Sequence, residues 1–212
     1  MFCPLCNTAQ LVPITLKSFG REFIKCNHCS LIFSLADELP ISTLEKSRYE
    51  NHENSANDEG YVKFLNQAIA PVLAFLNSSS QILDYGCGPQ PVLSQLLKQK
   101  GFSCKNYDPF FYPQKPTGEN DVIFSTEVFE HFHYPKKEIE EITNLLVEGG
   151  LLVIMTEFYK DPEHFNKWWY TRDFTHVSFY NEDTFKHICK GFGYQLEYTD
   201  QIRVVILRKG KP

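Results

Sequence analysis

The stretch from Gln81 to Pro91 reads QILDYGCGPQP. An apolar run ends in an acid at Asp84, and two glycines follow one residue apart. A buried strand, a tight glycine turn and a helix start form the entry to a nucleotide-binding loop. A pyrophosphate in such a loop is cradled by backbone N–H groups. Pro89 and Pro91 have no N–H to offer, and Gln90 puts a side chain where a dinucleotide loop carries its third glycine. The loop therefore suits a cofactor without a pyrophosphate. S-adenosylmethionine has an amino-acid end, a cationic sulfonium and a ribose. Asp84 sets a negative charge beside that cation, and Gly86, Cys87 and Gly88 let the ligand lie over bare backbone.

Outward from this loop, strand and helix patterns alternate. Pro91 to Lys100 reads as a helix with Val92, Leu93, Leu96 and Leu97 on one face and Gly101 past its end. Phe102 to Asp108 and Asp121 to Ser125 read as strands. Asp108 stands twenty residues beyond Gly88, where a carboxylate accepts both ribose hydroxyls. Pro135 to Glu148 is an amphipathic helix closed by Gly149-Gly150. Leu151 to Thr156 is a continuous apolar strand, as expected where both sheet faces are covered. Asn181 to Gly191 is a helix, and Tyr194 to Thr199 with Ile202 to Arg208 make a closing strand pair. Upstream, apolar residues from Tyr61 to Leu76 recur at helical spacing, interrupted at Pro71. The class is α/β, a mostly parallel sheet with helices on both faces.

The segments LDYGCGPQP, NYDPFF, DVIFSTEVFEHF and LLVEGGLLVIMT together resemble a class I S-adenosylmethionine-dependent methyltransferase. The resemblance runs from about Tyr61 to Arg208 and is nearest to the bacterial group similar to ubiquinone-pathway methylases. It implies a Rossmann-like, seven-stranded sheet whose last strand is antiparallel. It also implies Asp84, Gly86, Cys87 and Gly88 at the methionine end of the cofactor and Asp108 at the ribose. Pro109 and Phe110, or Phe111, would lie at the adenine, with Thr126 and Glu127 near the transferred methyl. Two departures stand out: Gln90, and a segment from Asp108 to Asp121 too short for the usual helix and third strand.

Two segments reach the substrate side. Glu127-Val128-Phe129-Glu130-His131 matches the E-x-x-E-H of similar quinone-pathway enzymes. That likeness implies a divalent metal at Glu127, Glu130 and His131; alternatively Glu130 and His131 start the next helix, or His131 is a general base. Asn166 to His176 (NKWWYTRDFTH) holds both tryptophans of the chain. It reads as a substrate pocket or its lid, or as an aromatic patch packed on the sheet. Within it His176 and Tyr170 are base candidates, and Asp173 is placed to orient His176.

Cys3-Pro4-Leu5-Cys6 and Cys26-Asn27-His28-Cys29 pair two C-x2-C turns across nineteen residues. Two tight thiolate pairs supply the four soft ligands of tetrahedral zinc, a closed and hence structural site. Lys17, Arg21 and Lys25 give this ribbon a mildly basic character. The expected organisation is a zinc ribbon over 1–40, a polar linker over 41–60 and the methyltransferase domain over 61–212.

The 212 residues carry a net charge of −5 and seven cysteines. The acidic balance argues against a nucleic-acid protein, and no stretch approaches the roughly 20 apolar residues of a membrane span. The odd, uneven cysteines and the absence of a signal-peptide pattern at the start point to the cytoplasm. The expected function is methylation of a small molecule at a hydroxyl or activated carbon. RNA methylation with the ribbon as grip, and a non-catalytic binding module, are the rival readings.

Overall fold

A computed structural model describes residues 1–15, 19–51 and 54–210; Lys17, His52, Glu53, Lys211 and Pro212 lie outside them. At the N-terminus two knuckles of the same build carry the cysteine pairs. In each, the amide of the first cysteine donates to the residue five on: Cys3 to Thr8, and Cys26 to Leu31. In each, the residue after the second cysteine is left-handed, Asn7 at φ 58° and Ser30 at φ 63°. Between them run β1 (Leu11–Thr15) and β2 (Glu22–Cys26), and β3 (Ile32–Ser34) follows.

The polar stretch next in the chain is not merely a linker. It carries α1 (Ser42–Glu50), which buries Glu45. The helix gives no apolar period because its inward pair, Glu45 and Tyr49, is polar at one end, although i and i+4 share a face. Then α2 (Glu59–Ile69) starts at Asp58, whose side chain accepts from the amides of Gly60 and Tyr61. Pro71 ends it, and a 3-10 turn takes over at Ala70–Phe75.

The main sheet begins with β4 (Ile82–Tyr85), followed by α3 (Val92–Gln99), β5 (Cys104–Tyr107) and β6 (Asn120–Thr126). After a 3-10 turn at Phe129–His131 come α4 (Pro135–Asn144), β7 (Leu146–Met155), α5 (Pro162–Lys167) and β8 (Ser178–Phe179). The chain closes with α6 (Glu182–Phe192), β9 (Tyr194–Thr199) and β10 (Val204–Lys209). Sheet order is β5-β4-β6-β7-β10-β9. Pairings among β5, β4, β6 and β7 are parallel, and β10 runs antiparallel to both its neighbours. Core residues of α4 and α6 pack on one face, those of α2 and α3 on the other.

Two expectations are corrected. The sheet has six strands among the described residues, not seven, because Pro109, Pro113 and Pro116 withhold donors where the third strand would run. The chain there instead closes a tight turn bridging Asp108 and Tyr112. Gly149-Gly150 also does not end a helix. It lies inside β7 at a register shift against β6, with Gly149 at φ 76°. A Cβ on Gly150 would sit 2.9 Å from the Val147 carbonyl oxygen, so the bulge requires glycine.

The ribbon does not stand apart. Its strands continue into β8 of the main domain, pairing Ile32 with Phe179 and Phe33 with Ser178. Phe23 and Ile32 join a core cluster with Phe165, Trp168 and Phe179.

Candidate active site

A cavity of about 650 Å³ opens at the carboxyl ends of β4, β5 and β6, where ligands bind in open α/β sheets. Asp84, Gly86, Cys87, Gly88, Asp108, Pro109, Phe110, Thr126 and Glu127 all line it. Phe111 is not among the lining residues, so Phe110 is the ring presented.

The glycine turn spends its own donors. The amides of Gly86 and Cys87 donate to the Tyr107 carbonyl at 2.8 and 3.1 Å, tying the turn to β5. The Gly88 amide donates to Asp108 Oδ2 at 3.1 Å. With Pro89 and Pro91 lacking N–H groups, no amide from Gly86 to Gly88 is left to cradle a pyrophosphate. Gly86, at φ 82°, is glycine for packing: a Cβ there would lie 2.4 Å from Val128 Cγ2. Gly88, at φ 66°, faces open space, where a ligand can lie on the backbone.

Asp108 Oδ1 accepts from the amides of Phe110 and Phe111 at 2.8 and 3.1 Å. With Oδ2 held by Gly88, three of a carboxylate's roughly four acceptor sites are filled, leaving room for one further donor. Asp84 is 2% exposed. Burial, reinforced by the charge of Asp108, lifts its carboxyl to about 7, so a cation beside it recovers a costly negative charge.

At the end of β6, the strand beside β4, Glu127 sits at φ 54°, a strained conformation for a residue other than glycine, of the kind concentrated at functional sites. Its amide donates to the Met155 carbonyl at 2.7 Å. Tyr170 Oη donates to Glu130 Oε1 at 2.7 Å and lies 3.2 Å from Glu127 Oε2. One phenol proton cannot serve two carboxylates. Burial, and then the charge of Glu130, push the Glu127 carboxyl well above the usual range. The phenol is placed to donate to either carboxyl, with the shorter bond to Glu130. Tyr170 is buried and does not line the cavity, so it positions carboxylates and is not placed as a base.

Three histidines line the cavity, His131, His133 and His176; the two candidate bases, His131 and His176, have their Nδ1 atoms tied to backbone. His131 Nδ1 is 2.9 Å from the Thr175 carbonyl, and His176 Nδ1 is 2.8 Å from the Tyr170 carbonyl. A carbonyl only accepts, so each Nδ1 carries a hydrogen, and Nε2 is the atom that holds the lone pair whenever the ring is neutral. Burial, and then the neighbouring His131, lower His176 to about 3; it is neutral near pH 7. Asp173 does not orient the His176 ring. Its carboxylate accepts from Thr175 and from Arg48, at 2.7 Å from Arg48 Nη2.

The tryptophans do not form the lid expected of them. Trp168 is 3% exposed, stacks on Tyr170 at 4.9 Å and donates to Glu157. Trp169 is 60% exposed, and neither lines the cavity. From Asn166 to His176, only His176 does. The aromatic wall comes instead from α1: Tyr49 lies 5.9 Å from Phe110 and 5.1 Å from His131, ring to ring. Sequence reading missed Glu45 and Tyr49 because they sit in a polar stretch. It also missed Arg21, whose guanidinium donates to the carbonyls of Thr171, Asp173 and His176.

Two of the donor sets among the described residues fall where metals were expected. Sγ atoms of Cys3 and Cys29, and of Cys6 and Cys26, lie 3.5 Å apart. Four sulfurs about 2.3 Å from a tetrahedral zinc would lie about 3.8 Å apart, so the tetrad needs little adjustment. Ligand atoms of Glu130, His131 and His176 lie within 4.8 Å of one another. His176 thus takes the place expected of Glu127, which is not in that group although its Oε1, like Glu130 Oε2, is buried without a hydrogen-bond partner among the described residues.

Residues 57–199 match the family model described as a methyltransferase domain, and the chain belongs to this family. Comparison with curated proteins gives no match. The chain is similar in fold to 1,6-didemethyltoxoflavin-N1-methyltransferase of Burkholderia thailandensis, solved with 1,6-didemethyltoxoflavin and S-adenosylhomocysteine. There the TM-score is 0.57 at 13% identity, covering 87% of this chain and 98% of that one. Magnesium protoporphyrin IX methyltransferase of Synechocystis, with bound S-adenosylhomocysteine, gives 0.53 at 14% identity, covering 82% and 97%. An O-methyltransferase family protein of Burkholderia thailandensis gives 0.55 at 15% identity; 82% of this chain is covered, but only 65% of that one. Likeness at such identity concerns the fold. No helix among the described residues is long and apolar enough to cross a membrane.

Proposed function

We propose that the protein transfers a methyl group from S-adenosylmethionine to a small molecule at a hydroxyl or an activated carbon. The observation that carries this reading is one cavity with two unlike groups of residues. Its lining includes the pyrophosphate-averse turn with buried Asp84 and Asp108, and beside it the group Glu127, Glu130, His131 and His176. Asp84, Gly86, Cys87 and Gly88 hold the amino-acid end, Asp108 a ribose hydroxyl, Pro109 and Phe110 the adenine, and Thr126 and Glu127 flank the reacting end. The cofactor supplies an electrophilic methyl. His131 Nε2 takes the acceptor's proton, and in-line alignment does much of the remaining work. Acidic lining residues disfavour an anionic acceptor. Calorimetric titration should give micromolar binding of both S-adenosylmethionine and S-adenosylhomocysteine; binding of neither would leave a non-catalytic module.

A second reading of the latter group is favoured by the orphaned oxygen of Glu130. Glu130, His131 and His176 would hold a divalent ion near the acceptor oxygen, lowering the pKa of the bound hydroxyl. Both Nδ1 atoms already donate to carbonyls, as ligating histidines do. Turnover abolished by chelator and restored by a divalent ion would favour it over His131 as free base.

The same proposal assigns residues 1–40 to a structural zinc ribbon on Cys3, Cys6, Cys26 and Cys29 and 61–212 to the methyltransferase domain, with α1 of the intervening stretch walling the site. One zinc per chain after chelator-free purification tests the ribbon. All seven cysteines are free, which suits a cytoplasmic location. RNA methylation is the weaker reading, since Arg21, a basic group of the supposed grip, is already spent on backbone carbonyls.

A further inference from the structure

His28 projects from the second cysteine knuckle, and His187 from the middle of α6 in the main domain. Their rings meet edge to face at 5.0 Å. Neither has a ring nitrogen hydrogen-bonded among the described residues. Ligand atoms of the two imidazoles and of Cys6 lie within 4.8 Å of one another. Cys6 is half-buried, His28 exposed and His187 half-buried, so the site opens to solvent on one side. Two imidazoles, whose ring nitrogens have no hydrogen-bond partner among the described residues, converge on a sulfur that also faces Cys26 at 3.5 Å.

We propose that Cys6, His28 and His187 form a second zinc site that shares the Cys6 thiolate with the four-cysteine centre and clamps the ribbon onto α6. Imidazole and thiolate are the ligands zinc selects. A thiolate keeps lone pairs after binding one ion, so Cys6 can bridge two. Three protein ligands leave the fourth position to water, which the open side admits. The second ion binds more weakly than the first, because it has two neutral ligands and a shared one. This inference rests on the reading that the four cysteines bind zinc.

The test counts metal on the full chain. Stripped protein is titrated with Co²⁺, followed by its d–d and thiolate-to-metal absorption, and separately loaded with Zn²⁺ and analysed after dialysis. Counting only ions that change the thiolate-to-metal absorption, which an ion at Glu130, His131 and His176 would not, the wild type should take two equivalents in two steps, and His187→Ala and His28→Ala one each. His28→Ala changes an exposed knuckle residue and guards against misfolding of the helix variant. Excess Zn²⁺ should slow proteolytic release of the ribbon in the wild type, and not in His187→Ala. One equivalent in the wild type overturns the second site and leaves the four-cysteine reading intact. Two equivalents in both variants also overturn it, and none in the wild type overturns both readings.

Discussion

Tyr170 Oη stands 2.7 Å from Glu130 Oε1 and 3.2 Å from Glu127 Oε2, joining two carboxyl groups through one phenol. Tyr170→Phe removes the shared oxygen and leaves both acids buried without it. Hydrogen bonds to charged groups contribute about 1.5–3 kcal/mol each, so this variant should lose about that much in urea unfolding. An unchanged midpoint would mean that the phenol bridges nothing.

Asp84 ties stability to pH. Its carboxyl is raised to about 7, whereas an unfolded aspartate titrates near 4. Between those values the folded protein holds a proton that the unfolded chain releases. Ligand-free stability from this group therefore falls as pH rises from about 4 to 7, and is flat beyond. Asp84→Asn should remove that slope and be more stable near pH 7.5 by on the order of 4 kcal/mol, while binding S-adenosylmethionine less well. Urea midpoints across pH, with calorimetry, separate the two effects; a variant with the wild-type slope would exclude Asp84 as its source.

Gly86 is required by Val128. Gly86→Ala drives a methyl into the valine side chain, 2.4 Å away, at a backbone angle that alanine resists. A loss of about 2–4 kcal/mol is expected from overpacking and left-handed strain together. Adding Val128→Ala should restore the overpacking part alone. Thermal unfolding of the single and double variants reads this directly, and no restoration would mean that the backbone angle carries the whole effect.

His131→Gln should spare S-adenosylmethionine affinity and lower kcat by about 10²–10⁴ if His131 takes the acceptor proton. Single-turnover rates on an identified acceptor give the answer. Full turnover in the variant would move the base elsewhere.

Much of the main domain was legible because its strands are short, buried and bounded by glycine or proline. The Asp84 turn and Asp108 could be placed from sequence for that reason. Tyr49 and Glu45 could not, since a helix that buries polar groups leaves no apolar period to read. Trp168 misled for the opposite reason. Indole rings suit a ligand wall, but here one fills the seam between the ribbon and the sheet. Gly149-Gly150 looked like a helix stop because a strand bulge and a helix end ask for the same residue.

Arg21 reaches from the ribbon to the carbonyls of Thr171, Asp173 and His176. The loop that aims His176 is thus held by a side chain that immediately precedes β2, between the two knuckles. If zinc sets those knuckles, starvation for the metal would displace His176 from the cavity without touching any residue that lines it, and on the proposed function would silence the enzyme. Activity would then follow the cell's zinc supply, and an assay on metal-poor protein would mistake a competent enzyme for a dead one.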